Sequence, residues 1–221
     1  MRRVVQPELL DSDSGTSAEV DASLADLRRI NRWFGGASTS ADLLLRIARE
    51  RNLHHLSMLD VAGASGDVPA AAAQALARHG VELRTTLLDR ARSHVGGRFP
   101  VVLGDALALP LANGSFDVVH CSLFLHHLEP EEIVAFAREA LRVARVAFVA
   151  NDLRRHPLHL ALVYAGTPLY RSRLTRHDGP VSIRRSYTES EMMGILRKSS
   201  AARIELKRHY LFRMGIVAWK G

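Results

Sequence analysis

Met58-Leu-Asp-Val-Ala-Gly-Ala-Ser-Gly-Asp67 joins an apolar segment to a turn of very small residues. Leu56 to Val61 has the composition of a buried strand and carries an acid, Asp60, near its carboxyl end. Ala62, Gly63, Ala64, Ser65 and Gly66 follow. An alanine-rich segment with Pro69 in its first turn and Gly80 past its end then predicts a helix over Val68 to His79. A strand that runs through a small-residue turn into a helix lets a ligand approach bare backbone, and it aims the unpaired N–H groups of the helix at that ligand. Dinucleotide sites use this device with a G-x-G-x-x-G spacing. That spacing is absent here, because only Gly63 and Gly66 are glycines.

The segments that follow repeat the pattern of strand, then acid. Leu83 to Leu88 is a predicted strand that ends at Asp89 and Arg90, and Val101 to Gly104 is another that opens into Asp105-Ala106. Asn113-Gly114 is a turn leading into a buried strand, Phe116 to Ser122, and then into Leu-Phe-Leu-His-His-Leu128. A helix over Pro130 to Val143 and a strand over Val146 to Asn151 come next. Thr188-Glu-Ser-Glu191 is a capping box that starts a further helix. Arg203–Tyr210 and Met214–Lys220 read as a closing antiparallel hairpin. Strands alternating with helices predict an α/β fold, an open sheet covered on both faces.

In this order, Leu59–Asp67, Gly104–Pro110 and Ser115–Leu128 resemble the L-D-h-G-x-G-x-G, G-D-A-x-x-L-P and S-F-D-V-V…h-H-H-L patterns of the class I S-adenosylmethionine-dependent methyltransferases. Within that family the likeness is to the small-molecule group that includes the quinone-biosynthesis enzymes, and it spans residues 56–150. It implies a Rossmann-like, seven-stranded, mostly parallel sheet with the last strand antiparallel. It also implies S-adenosyl-L-methionine as cofactor and methyl transfer to a small or lipid-like acceptor, such as a phenol or quinol. By the resemblance, the cofactor-binding residues are Asp60, Ala62, Gly63, Gly66, Asp89, Arg90, Asp105, Ala106 and Ser122. Asp89 would take the ribose hydroxyls, Gly63 to Gly66 the methionine part, and the Asp105 side chain and Ala106 N–H the adenine. The chain departs from the family pattern twice. Ala62 and Ala64 replace turn glycines, which requires negative φ at both positions if the turn is kept. Asp89 and Asp105 are only 16 positions apart, so Arg90–Phe99 has room for one or two helical turns before Gly96-Gly97.

Sulfonium methyl transfer is an in-line displacement, in which an enzyme chiefly aligns the reacting atoms and excludes water. An acidic oxygen nucleophile is helped by a base near neutral pKa, for which histidine is suited. His127 is the favoured candidate, with His126 as one alternative. His177 is the other, since the neighbouring Asp178 could orient it or raise its pKa. Phe124, Arg154, Arg176, His177 and Tyr187 are candidate acceptor contacts, and no metal site is expected. The competing reading is a non-catalytic Rossmann-like regulatory or partner module, whose sequence support is Ala62 and Ala64.

The remaining features set the organisation. At 221 residues, of which 47% are hydrophobic, the chain suits one α/β unit, residues 53–221, with an N-terminal helical extension or lid at 1–52. Residues 1–16 read as loose. Helices are expected from Asp21 or Ser23 to Trp33 and from Ser40 to Arg51, with Asn31, Arg32, Trp33 and Phe34 as lid candidates. A lone cysteine, Cys121, fits a reducing, cytoplasmic setting, and neither a signal peptide nor a membrane span is expected. The net charge is +7. Most of it sits in 152–187, which reads as irregular, with arginines flanking an apolar stretch from Pro157 to Tyr170. Such a segment can roof a greasy acceptor or lie on an anionic membrane surface. Nucleic acid is not expected, since no aromatic–basic platform accompanies the charge. The oligomeric state is left open.

Overall fold

The computed structural model describes residues 1–10, 15–90 and 99–221; the short helix expected within Arg90–Phe99 falls almost wholly outside them. Seven strands, β1 (His55–Val61), β2 (Glu82–Asp89), β3 (Val101–Leu103), β4 (Phe116–Ser122), β5 (Ala144–Leu153), β6 (Arg203–His209) and β7 (Arg213–Trp219), form one sheet in the order β3-β2-β1-β4-β5-β7-β6. β1 pairs in parallel with β2 and β4, β2 with β3, and β4 with β5. Only β7 runs antiparallel to its neighbours, β5 and β6. This is the Rossmann-like, mostly parallel sheet expected from the sequence.

Period-two alternation assigns the two faces. Met58, Val118, Ala147 and Val149 bury one face against α2 (Gly36–Glu50) and α3 (Asp67–Ala77), through Leu43, Leu44, Ile47, Ala72 and Leu76. Leu59, Val119, Phe148 and Ala150 bury the other against α4 (Pro130–Val143) and α7 (Glu189–Leu196), through Ile133, Phe136, Ala140 and Leu196. Each large apolar side chain so buried contributes roughly 1.5–3 kcal/mol. The remaining helices are α1 (Ser17–Trp33), α5 (Pro157–Gly166) and α6 (Arg173–Arg185). α1 and α5 both pack on α6, and α6 touches the short 3-10 turn Leu125–His127 that follows β4.

Four expectations are corrected. α1 starts earlier than Asp21, at a Thr16 cap with Glu19 completing a capping box; Ser23 is buried and shares a 3.0 Å hydrogen bond with Thr175 of α6. α2 starts at Gly36 rather than Ser40, because Gly35 (φ +81°) turns the chain at once, and Ser40 is wholly buried within the helix. Residues 152–187 are regular: His156 caps α5, with Pro157 at its first position, and Ser172 caps α6. Nor are residues 1–10 loose. The Val4 N–H donates to the Arg184 carbonyl at 3.0 Å, and the Leu9 and Leu10 N–H groups donate to the Asp178 carboxylate at 2.8 and 3.1 Å. Among the described residues no helix is long and apolar enough to cross a membrane.

On α5, His159 lies flat against Phe212, with ring centroids 5.0 Å apart, and its Nδ1 is 3.0 Å from the Arg154 carbonyl oxygen. Burial pushes its pKa down to about 4; the carbonyl opposes that shift and the guanidiniums of Arg213 and Arg154 add to it. The unfolded chain therefore takes up this proton near pH 6.5, before the folded protein does. The stability tied to a neutral His159 is present above that pH and is lost as pH falls towards 4. We expect His159→Gln to shed up to about 3 kcal/mol less stability than wild type between pH 7 and pH 4. Urea unfolding at the two pH values measures the difference, and equal losses would show that His159 stays solvated.

Candidate active site

The acids singled out in the sequence meet at one edge of the sheet. Asp60 pairs in register with Leu87 of β2 and His120 of β4, and Asp89 pairs with Leu103 of β3. Gly104 and Asp105 follow directly, so the carboxyl ends of three adjacent parallel strands present Asp60, Asp89 and Asp105. In open α/β sheets this is where ligands bind. Asp89 is half-buried, and Arg90 and Asp105 are exposed. The Asp105 carboxylate accepts the Leu107 N–H of its own loop at 2.9 Å, and Ala106 is buried beside it. Ser122 closes β4 opposite Asn151. Grooves lined by Arg203 and Trp219, or by Asp42 and Arg46, contain none of these residues. The first lies at the amino ends of the parallel strands, since Trp219 pairs with Ala147 near the start of β5.

The turn after β1 keeps the shape of a glycine loop although two glycines are missing. Ala62 has φ +56° and Ala64 φ +42°, which corrects the expectation of negative φ at both. The left-handed region costs a non-glycine residue roughly 1–2 kcal/mol. The fold holds both alanines there because the Ala62 N–H is bonded to the Leu88 carbonyl at 2.8 Å and the chain must enter α3 directly. At Gly63 and Gly66 no side chain fits. A Cβ on Gly63 would lie 2.4 Å from Asp60 Oδ2, and one on Gly66 (φ +68°) would lie 2.9 Å from the Phe99 ring. The result is bare backbone between the Asp60 carboxylate and the N-terminus of α3.

Behind the turn runs a buried polar chain that the sequence reading missed. His120 Nδ1 is 2.6 Å from Asp60 Oδ1, and its Nε2 is 2.9 Å from Ser40 Oγ. Asn151 Nδ2 donates to Ser40 Oγ at 3.2 Å and to the Gly36 carbonyl at 2.6 Å. All four side chains are about fully buried. The signal was present in β4: a histidine at the same parity as Val118, inside a buried strand, must find partners.

On the other face the chain leaves β4 through Leu123 (φ +56°), a strained conformation for a bulky residue, and doubles back. The His126 N–H and Nδ1 then meet the Asp152 carboxylate at 3.1 and 2.6 Å, while His126 Nε2 faces Glu8 Oε1 at 3.5 Å. Burial opposes charge on this ring, but Asp152 and Glu8 outweigh it and raise the pKa to about 10. Burial likewise opposes charge on Glu8, yet His126, His127 and Ser182 bring its pKa down to about 2. The two carboxylates thus favour the protonated ring, which counts against His126 as a general base. His127 stacks on it, with ring centroids 4.3 Å apart; its side chain is 20% exposed and Nε2 is 3.9 Å from the same Glu8 oxygen.

The remaining candidates are tied into packing. Phe124 meets Phe136 edge-on at 5.3 Å. Arg154 pairs with Glu189 at 2.6 Å. Arg176 donates to the Tyr170 carbonyl at 2.9 and 3.1 Å. His177 is exposed on α6, its Nδ1 2.8 Å from the Asp178 carboxylate that also holds Leu9 and Leu10. The Tyr187 hydroxyl is spent on the Leu128 carbonyl at 2.7 Å; burial, acting against the Arg3 guanidinium over its ring, pushes its pKa up to about 12. Of the lid candidates, Asn31 is buried and donates to Asp67 at 3.1 Å, whereas Trp33 and Phe34 are exposed.

The strained turn makes a prediction with an uncommon sign. Ala62→Gly and Ala64→Gly should each stabilise the protein by about 0.5–1 kcal/mol, the left-handed penalty less the added freedom of the unfolded chain. Gly66→Ala should destabilise it. Denaturant midpoints measure all three, and a loss of stability in both alanine variants would rule out the left-handed turn.

Comparison with known proteins agrees with this geometry. Residues 58–147 match the family model described as a methyltransferase domain. The ubiquinone/menaquinone biosynthesis C-methyltransferase UbiE of Methylobacterium nodulans is 36% identical over 124 residues, which make up 49% of this chain and 47% of that protein. The chain therefore spans about half the length of the curated relative it matches. Among solved structures, the plantazolicin methyltransferase BpumL in complex with SAH superposes with a TM-score of 0.70 at 12% identity, covering 97% of this chain and 95% of that one. The magnesium protoporphyrin IX methyltransferase of Synechocystis superposes with a TM-score of 0.53 at 17% identity, covering 82% of each. At such identities these structures speak for the fold. The strand order is that of the class I methyltransferase fold, and within it residues 58–147 match a methyltransferase domain and resemble an enzyme of quinone biosynthesis.

Proposed function

We propose that this chain is an S-adenosyl-L-methionine-dependent methyltransferase acting on a small or lipid-like acceptor, with a phenol or quinol favoured by the likeness to a quinone-biosynthesis enzyme. The observation that carries the reading is the turn at Gly63 to Gly66, kept bare against Asp60 at the carboxyl end of β1 even at the expense of two strained alanines. That cradle fits the cofactor, since backbone without side chains and the first N–H groups of α3 suit its amino-acid part. Bound there, the sulfonium supplies an electrophilic methyl group. The residues of the chain bind, orient and exclude water. We assign Asp89 to the ribose hydroxyls, Asp105 and Ala106 to the adenine, and Ser122 to the methyl side. Residues 1–52 serve as the cover: Asn31 ties α1 to Asp67 at the turn, next to exposed Trp33 and Phe34. His127, more exposed than His126, is assigned to the acidic oxygen of the acceptor. His177 is set aside because its carboxylate partner is committed to the N-terminal segment.

Isothermal titration should show one S-adenosylmethionine bound per chain. Asp89→Ala should weaken it by about 1.5–3 kcal/mol, the scale of hydrogen bonds to a charged group. Failure of the wild-type protein to bind would favour the regulatory-module reading instead.

A peripheral contact with anionic lipid is a second element of the proposal, and the surface of α5 supports it. Leu158, Leu162 and Tyr164 on α5, and Leu169 just after it, are about half exposed or more, and exposed Arg171 follows. Co-sedimentation with anionic vesicles at low salt should be lost in Leu158→Glu with Leu162→Glu, while cofactor affinity is unchanged. Equal sedimentation of the double variant would remove lipid from the account.

A further inference from the structure

The geometry points to a divalent transition-metal site of the zinc class, held by Glu8, His126 and His127 at the carboxyl end of β4. Nothing in the motifs or the relatives assigns it, and its test does not depend on methyl transfer. Three donors converge: Glu8 Oε1 lies 3.5 Å from His126 Nε2 and 3.9 Å from His127 Nε2, and all three ligand atoms lie within 4.8 Å of one another. Among the described residues this is the one such group. The separations are long for N–H···O hydrogen bonds, which run about 2.7–3.2 Å. They approach the edge of a coordination tetrahedron, about 3.3–3.5 Å for ligands some 2.0–2.1 Å from one ion.

The surroundings are those of a supported site. His126 Nδ1 is held at 2.6 Å by buried Asp152, which itself is fixed by the N–H groups of His126 and Leu153. A carboxylate on the far nitrogen sets the tautomer that leaves Nε2 for a metal and raises its basicity. Ser182 donates to Glu8 Oε1 at 2.7 Å and orients that carboxylate. Two buried carboxylates around two imidazoles favour a dication more than a single proton, because the attraction grows with charge. Two histidines and one carboxylate are a common set for zinc-class ions and leave a further position for water or an acceptor oxygen. If that oxygen is the acceptor's, His127 acts through the ion, as a ligand.

The test uses the 221-residue chain without an affinity tag, stripped by chelator, and titrated with Zn2+ by calorimetry and with Co2+ by visible absorption. One equivalent should bind with a Kd in the micromolar range or below, and Co2+ should give the intense bands of a tetrahedral site, displaced by Zn2+. Glu8→Gln and His127→Gln should each weaken binding by more than 100-fold. Asp152→Asn should weaken it by about 10–100-fold. Unfolding curves establish that each variant is folded, and His127→Gln, at the most exposed of the three ligands, serves where a buried variant is not. No binding by wild type, or wild-type affinity in folded Glu8→Gln or His127→Gln, would overturn the site. Loss of metal binding with unchanged S-adenosylmethionine affinity separates this result from the cofactor assignment.

Discussion

The contact between Asp60 and His120 holds the site end of the sheet together. Two ionisable side chains 2.6 Å apart, with at most 1% of either exposed, are tolerable inside a protein only when their own remaining polar atoms are engaged as well. The requirement spreads outward. His120 needs Ser40, so the first turn of α2 must lie against the ends of β4 and β5. Asn151 needs the Gly36 carbonyl, so the α1–α2 corner must turn at Gly35. Removing one partner would strand the others, at a penalty of about 1–3 kcal/mol for each buried group left without its hydrogen bond. The N-terminal helices are therefore built into the sheet through the same residues that back the ligand turn.

Backbone strain collects at this edge. Ala62, Ala64 and Leu123 all have positive φ, and all three lie at the carboxyl ends of β1 and β4. Such conformations persist where the surrounding structure over-determines them, and they cluster at functional sites. Here the β1 strain keeps the turn open to ligand in front of Asp60. The β4 strain folds the chain back so that His126 can reach Asp152. β5 serves both faces with consecutive residues, Asn151 for the α2 side and Asp152 for the α4 side, a direct use of strand alternation.

The N-terminal segment is held by polar contacts more than by apolar burial. Arg3 bonds to Glu129 and to the Leu128 and Arg185 carbonyls and covers Tyr187; Glu8 sits between the histidines and Ser182; Asp178 takes two backbone N–H groups. Contacts of this kind are directional and few. They fix the position of the segment over the turn after β4 and against α6 while adding less to stability than an equal area of packed leucine.

By itself the sequence determined the layers. Phe116–Ser122 and Pro130–Val143 fall where apolar runs, turn residues and Pro130 place them, and the motifs at the ends of the acid-bearing strands carry the family resemblance, because these signals are local. Tertiary structure alone decided the rest. α6 carries an internal proline, Pro180, and arginines towards both ends, a composition that reads as loop, yet packing on α1 and α5 makes it a helix. Alanine prefers negative φ, so the positive values at Ala62 and Ala64 follow only from being pinned between β2 and α3. Glu8 lies 118 positions before His126 in the chain, and no spacing rule reaches that far. Pairing across such distances is set by where the sheet puts each strand end, which is a property of the whole fold.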